Sequence, residues 1–577
     1  MKKKIQLFPV LLYLSVISCQ HTNDTVESTL GDATVKINFK GAEFSEDISG
    51  INASANTKNI QETLISKKEI VFNNDDYKLV ATLTPVNNTQ TKLHKALVGN
   101  KMAVANTLDS GILYKVVVFD SNGKYKTEKD YKVGQESTAG SITGLNGDGE
   151  YTFVVYSIGS KTSNSQITFA NPANPILSEA SLNLVSGDSD LMYFSKKIIV
   201  TGNKANYLEV ILRHKYSQII TTLDSSPTSN YIILSASNVA ITSHNNFATL
   251  KLSDGSITST GSSSKTIVFP IGSTQKLIAA PSLINVPVET KNATLNIGSI
   301  ILQTAPRIAG FNTDVTHQNI SFNNLTITPG VKYSLTLSFI PNDRDMGEYR
   351  GYPAVRMNGL IWMRHNLGAN YALNPNVPQQ SLFGNYYQFG KKAVAASATA
   401  SDASISGWSS TLAPTNSWNS GTDQNPVKTV NDPCPSGWRI PTLAEAAILS
   451  RLTTGTTVEY LGDVTRSSST NYTAAIVIRS RYNPNVQLTI PFSGGRTYNT
   501  GALDDFYNTS SNETRARGVS GALWTSSVSS NSPIKQVFYG TRYTGIPINY
   551  YTSMSADGTT NMQNAGLPIR CIAEYPY

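Results

Sequence analysis

The residues best suited to chemistry in this 577-residue chain are three cysteines, six histidines and five tryptophans. A catalytic thiol needs a neighbouring base or another group that lowers its pKa. No histidine stands in such a motif beside a cysteine, and the histidines are too scattered for a standard zinc site. Neither covalent catalysis nor a bound cofactor is expected. The aromatic residues point instead to recognition. Trp362, Trp408, Trp418, Trp438 and Trp524 all follow residue 340. Trp408, Trp418, Trp524, Tyr543 and Tyr551 are the candidate rings for stacking on a sugar or anchoring a protein partner, the ordinary alternative for each being a place in the core. His365 reads as a structural hydrogen-bonding residue. The net charge is +8, and lysine and arginine never gather with aromatics into a stripe, so nucleic acid is not an expected partner. With 40 % hydrophobic and 15 % charged residues, the chain can build packed cores and is neither a coiled coil nor an acidic disordered polymer. Its length predicts two to four domains of roughly 150 residues.

The N-terminus supplies an address. Lys2, Lys3 and Lys4 precede an apolar run from Ile5 to Ser18. About 14 residues cannot cross a ~30 Å hydrocarbon core as a helix, so residues 1–18 read as a signal peptide. The run ends Val16-Ile17-Ser18-Cys19, which resembles the lipobox of bacterial lipoproteins. That resemblance implies a lipid-modified Cys19 as the mature N-terminus and attachment to the outer membrane through lipid. Residues 19–33 follow as a polar tether. In an exported protein a disulfide between Cys434 and Cys571 is chemically natural, the alternative being two buried free thiols. Closing that roughly 137-residue loop is worth about 4–5 kcal/mol in the chain-entropy picture.

The elements that must position these residues are mostly strands. Val35, Ile37 and Phe39 alternate with Lys36, Asn38 and Lys40, the period of a half-buried strand. Tyr114–Phe119 leads into Asp120-Ser-Asn-Gly123, a hairpin-type turn, and Asn146-Gly-Asp-Gly149 precedes a strand at Tyr151–Tyr156. A second cycle includes Lys197–Thr201, Tyr207–Arg213, Ala248–Leu252, Ala293–Ile301 and Val331–Phe339. Such spacing predicts β-sandwiches. Lys215–Leu223 reads as a helix, Ser253–Lys265 as a surface loop, and Asn342–Arg350 as a linker.

The first half resembles the fimbrillins, pilus subunits of Bacteroidales. The residues concerned are the lipobox, Tyr114–Gly123, Gly149–Tyr156 and Leu212-Arg-His-Lys-Tyr-Ser-Gln-Ile219. The resemblance implies two transthyretin-like β-sandwiches, residues 34–185 and 186–341, and partnership with other pilus subunits by strand exchange. In that process a trypsin-like protease trims the subunit, which loses its first strand. No arginine occurs before Arg213, so either a Lys-directed cut occurs, with Lys40, Lys58, Lys67 and Lys68 as the candidate trimming sites, or the strand stays in place.

The second half resembles the Fibrobacter succinogenes major paralogous domain. It does so through Gly359-Leu-Ile-Trp-Met-Arg-His-Asn-Leu367, Gly384–Gly390, Asp432-Pro-Cys-Pro-Ser-Gly-Trp-Arg-Ile-Pro-Thr442, Pro491–Arg496, Ala522–Ser527 and Leu567-Pro-Ile-Arg-Cys-Ile572. Arg439-Ile-Pro-Thr-Leu-Ala-Glu-Ala also looks like a stretch of the formylglycine-generating-enzyme group, which implies an α+β C-type-lectin-like fold over residues 351–577. Thr442 is a plausible N-cap, with Glu445 completing a capping box. The further cysteines those enzymes use are missing, and Asp423-Gln-Asn-Pro426 departs from the calcium-binding triplet of lectins, so metal ligands are not expected.

The fold expected is mainly β: two sandwiches followed by the lectin-like domain. The function expected is that of a cell-surface pilus subunit, a tip adhesin holding a host or microbial surface glycan or protein through its last domain. A standalone surface glycan-binding lipoprotein is the alternative. An enzyme related to the formylglycine-generating group is a distant third.

Overall fold

The structure is a computed structural model. It describes residues 31–45, 66–72, 76–86, 107–228, 231–304, 314–453, 459–464, 468–504, 517–529, 532–539, 552–556 and 560–574. Cys19, Lys58, Tyr543 and Tyr551 lie outside the described residues. The fold is mainly β, as the alternation and turn chemistry require. It divides into two compact units, the first drawn from residues 1–45, 91–216 and 245–261, the second from 46–90, 217–244 and 262–577. A single cut between residues 185 and 186 therefore does not separate them. That position falls inside the strand Ala180–Ser186, and both units gather segments from either side of it.

The first unit holds a seven-stranded sheet in the order Tyr125–Lys132, Leu113–Asp120, Glu150–Ser157, Met192–Ile199, Ala205–His214, Asp32–Glu43, Ile142–Asn146. Its central strands read Tyr-Lys-Val-Val-Val-Phe and Tyr-Thr-Phe-Val-Val-Tyr because both of their faces are covered. Val116, Val118, Phe153 and Val155 enter one core. Val117, Phe119, Val154 and Tyr156 enter another, which is shared with Ala180–Ser186 and with Ala248, Leu250 and Leu252. A strand buried on both faces loses its polar alternation. At the turn after Leu113–Asp120, the Asp120 carboxylate accepts the backbone N–H groups of Asn122 (3.0 Å) and Lys124 (2.9 Å). Gly123 sits at φ 77°, the conformation its lack of Cβ permits.

In the second unit, Lys276–Ile278, Ser217–Asp224, Lys332–Pro341, Tyr77–Pro85 and Ser66–Val71 form one sheet. Their inward residues meet those of residues 231–241, Thr290–Thr304 and Asp314–Ile327 in a single large core. The helix expected at Lys215–Leu223 is instead the strand Ser217–Asp224. Ser217, Ile219, Thr221 and Leu223 are buried alternately, and the run Ile-Ile-Thr-Thr suits a strand better than a helix turn. Ser253–Lys265 is likewise largely strand, Ile257–Ile267, and mostly exposed.

Beyond Pro341 the same unit continues into a disulfide-linked module. Asn342–Arg350 is not a linker: Arg344–Tyr349 is an edge strand antiparallel to Tyr352–Met357, which pairs in turn with Leu360–Met363. Both connections are two-residue turns with positive φ throughout, Arg350 (48°) and Gly351 (78°), then Asn358 (51°) and Gly359 (79°). That backbone matches the twist of a hairpin. The second turn is the familiar Asn-Gly; the first hides its hairpin behind Arg-Gly and a polar edge strand. Ile572–Ala573 and Trp438–Arg439 complete this sheet.

Candidate functional site

Two regions carry the residues singled out above. The first is the N-terminal strand Asp32–Glu43, which begins inside the stretch read as tether, with Ala33 fully buried. Thr34–Glu43 runs parallel to Ala205–Arg213, while only Asp32–Val35 pairs with Ile142–Asn146 on the other side. Ala33, Val35 and Ala42 are buried, and Ile37 and Phe39 pack against the same core. Phe39 stacks on Tyr114 with ring centroids 4.8 Å apart. The strand's far end is clasped by a Glu43–Arg213 ion pair (3.1 Å) and by Phe44 stacked on His214 (3.7 Å), whose Nδ1 bonds the Asp190 carboxylate at 2.7 Å. Lys40 sits at a register shift in this strand, beside Gly41 at φ 124°, and faces Glu209 at 3.6 Å. Lys67 and Lys68 lie on the edge strand Ser66–Val71 of the second unit, where Lys67 pairs with Glu69 at 3.1 Å. The candidate trimming lysines thus occupy two different places in the chain's architecture.

The second region is the disulfide-linked module. Cys434 and Cys571 are joined, with Cα atoms 6.1 Å apart. The Asp432 carboxylate accepts the backbone N–H of Cys434 (2.8 Å) and of Ile440 (3.0 Å). Burial pushes its pKa up to about 6 against the pull of these two donors. Lys428 Nζ donates to the carbonyls of Cys434 (2.6 Å), Pro435 (2.7 Å) and Trp438, so an ammonium gathers the whole Cys434–Trp438 turn. The helix Leu443–Thr453 begins with the expected capping box. Thr442 N donates to Glu445 Oε2 at 2.8 Å, and Glu445 N to Thr442 Oγ1 at 3.4 Å. Arg439 also grips Glu445 through two bonds of 2.6 and 2.7 Å. Burial alone would raise the Glu445 pKa, but the guanidinium holds it below the usual range. His365 is buried and structural: its Nε2 lies 2.9 Å from the Leu373 carbonyl, and burial lowers its pKa to about 4.

Sequence reasoning quoted Arg496 and Arg570 inside motifs without a role for them. Both are fully buried, and both serve backbone carbonyls rather than carboxylates. Arg496 donates to Ser401 (2.6 Å), Ala400 (3.0 Å) and Gly501 (3.3 Å). Arg570 donates to Arg364 (2.6 Å), Thr489 (3.1 Å) and the side chain of Asn366 (3.0 Å). Arg517, also buried, reaches Ala398 at 3.3 Å. A guanidinium has five fixed donors, so it can tie several loop carbonyls that no regular ladder satisfies.

The candidate rings separate sharply. Trp418 and Trp524 are each 1 % exposed and form a three-ring cluster with Phe389, their centroids 4.7 and 5.7 Å from it and 6.2 Å from each other. Their N–H groups end on Lys391 O (3.3 Å) and Tyr387 O (2.7 Å). These two rings belong to the core and have no surface for a ligand, because the module needs large apolar bodies to cover its short strands. Trp524→Ala should accordingly lower stability by about 3–5 kcal/mol, the usual cost of emptying such a site. Denaturant unfolding followed by circular dichroism measures this; a loss below about 1 kcal/mol would show the ring is not in the core. Trp362 and Trp438 are buried as well. Trp408 differs: it is only partly buried, with its N–H on Asn564 O at 3.0 Å.

No protein-family model matches the chain, and a search of curated proteins finds no match. Solved structures do align with parts of it. A Bacteroides fragilis protein provisionally described as a cell adhesion protein shares 14 % identity over 54 % of this chain and 94 % of its own, with a TM-score of 0.28. The fimbrial anchor protein Mfa2 from Porphyromonas gingivalis shares 13 % over 45 % and 92 %, with a TM-score of 0.23. A fimbrial assembly protein from Parabacteroides distasonis shares 10 % over 44 % and 87 %, again at 0.23. Superpositions this partial assign the chain neither a family nor an activity.

Proposed function

We propose that this protein is a cell-surface pilus subunit of the fimbrillin type, stationed at the tip and adhering through its disulfide-linked module. The observation that carries this reading is the fate of the chain after the last sandwich strand, Lys332–Pro341. A subunit in mid-stalk must give a strand to its neighbour. Here the residues that leave the sandwich are already used: Arg344–Tyr349 pairs with Tyr352–Met357, and Asn342 N donates to Asp76 O at 2.8 Å. Arg356, buried in that second strand, forms an ion pair with Asp76 of the sandwich, and Tyr482 OH reaches Pro227 O at 3.4 Å. The module is therefore packed onto its sandwich rather than hung from a tether. Receiving a strand remains open to this chain, since Asp32–Glu43 is a separable N-terminal strand with most of its pairing on one side. A cut after Lys67 or Lys68 would leave that strand on the released piece, whereas a cut after Lys40 would divide it. Lipid on Cys19 would hold the precursor at the outer membrane before assembly. Ligand binding without chemistry is the role this reading gives the module.

Immunogold microscopy with an antibody to residues 351–577 tests the assignment. Label confined to the ends of surface fibres is expected. Label spread over the cell surface, with bare fibres, would replace it by the standalone glycan-binding lipoprotein.

A further inference from the structure

We propose that Trp408 is the stacking ring of a saccharide subsite on the disulfide-linked module, an inference that rests on the module being the adhesive part. The ring is seated with care. Gly501 lies against the six-membered ring, so that a Cβ there would fall 2.3 Å from Cε3 and 2.5 Å from Cδ2. Gly566 also adjoins it, more loosely, its Cβ position lying 3.0 Å from Cη2 and 2.9 Å from Arg496 Cβ. Two glycines thus make room for one indole. The edge is fixed by the N–H bond to Asn564 O, and the loop that carries the ring is stitched down on both sides. Ile405 N donates to Thr500 O (2.8 Å), Leu503 N to Asp402 O (2.9 Å), and Gln388 Nε2 to Ser409 O (2.9 Å). Asn564 Nδ2 holds Ser410 O at 2.9 Å, and buried Arg496 grips the carbonyls of Ala400 and Ser401.

A loop fastened in this way still leaves part of its tryptophan in solvent. On the loop that carries the ring, Ser401, Ser404, Ser406, Ser410 and Thr411 are exposed, and Tyr498 on the adjoining turn is 42 % exposed. The setting is a rigid aromatic ring on a loop rich in small hydroxyl side chains, with Asp402 exposed on that loop and the Lys391 ammonium donating to Ser409 Oγ at 2.8 Å. That is the chemistry of a pyranose: its C–H face lies on the π-system, and its hydroxyls exchange hydrogen bonds with serine and threonine. Holding the ring in advance also spares the ordering cost a mobile side chain would add on binding.

Because the other four tryptophans are each 1 % exposed or less, iodide should quench only Trp408 in the full-length protein. The probes are cellohexaose, chitohexaose, a β-galacto-oligosaccharide and a mannan oligosaccharide, titrated at millimolar concentration with EDTA present. At least one should reduce the quenching constant twofold or more. Trp408→Ala should remove the quenchable emission and weaken that sugar at least tenfold, while Trp408→Tyr, which keeps a ring, should stay within about threefold of wild type. A matching thermal transition in Trp408→Tyr keeps the comparison valid if the alanine variant unfolds. Failure of all four sugars to protect the ring, or binding that survives Trp408→Ala, overturns the subsite. Adhesion of the full-length protein to cells that is undiminished in the Trp408 variants would leave the adhesin reading in place and remove only the saccharide.

Discussion

Replacing Cys434 and Cys571 together by alanine should lower the melting temperature of the second unit by roughly 5 °C. The chain-entropy contribution of a cross-link spanning 137 residues is about 4–5 kcal/mol. The bond also has a local role that the entropy figure omits. Cys571 O accepts Met363 N at 3.0 Å, and the next residue, Ile572, pairs with both Trp362 and Arg439. The disulfide therefore pins the short strand that joins two others in one sheet. Two residues of strand are too few to hold themselves in place, so the covalent tie matters more here than in a long ladder. The first unit contains neither cysteine, and its transition should not move. Calorimetry of wild type and double variant resolves the two transitions. Quantitative alkylation of both thiols in the native protein without reductant, or an unmoved second-unit transition, would count against the cross-link.

How much of this was legible beforehand depended on whether a local rule matched the physics of the place. Strands with one wet face announced themselves: Val35, Ile37 and Phe39 alternate with polar residues and form the N-terminal strand. The capping box at Thr442 and Glu445 was equally plain, because both partners lie within one turn. Reading failed where tertiary context overrode the local signal. Lys215–Leu223 reads as a helix in sequence, but Ser217–Asp224 is a strand between two partners far off in sequence, Lys276–Ile278 and Lys332–Pro341. The supposed linker became a strand because only tertiary pairing reveals a polar edge. Domain limits failed for a topological reason, since segments are exchanged along the chain and composition follows sequence order. Among the aromatics, residue type could not say which ring was outside. Burial of Trp418 and Trp524 depends on Phe389 and on carbonyls of Lys391 and Tyr387, none of them near in sequence to both rings.

The largest effect expected is from removal of the N-terminal strand. A chain beginning at residue 46 should lose the folded first unit, and a synthetic peptide of residues 31–45 should restore it. The deleted strand withdraws Ala33, Val35, Ile37, Phe39 and Ala42 from one core. At ~1.5–3 kcal/mol for each large apolar side chain buried, the loss approaches the roughly 5–15 kcal/mol that is the whole stability of a typical domain. The remaining chain would also expose the backbone of Ala205–Arg213 along the edge where Thr34–Glu43 had paired. An unpaired edge over an open apolar groove is a template for another strand, whether a peptide or a neighbouring subunit. Recovery should depend on the alternation, so a peptide with Phe39 replaced by alanine should bind at least tenfold more weakly, having lost its stack on Tyr114. Replacing Lys36, an exposed residue of the same strand, should matter little. Fluorescence anisotropy of labelled peptide and hydrogen exchange of Leu113–Asp120 and Ala205–His214 read both effects. If the shortened chain kept its protected sheet and ignored the peptide, the strand would be an ornament of the first unit rather than its missing piece, and assembly by strand exchange would have no acceptor here.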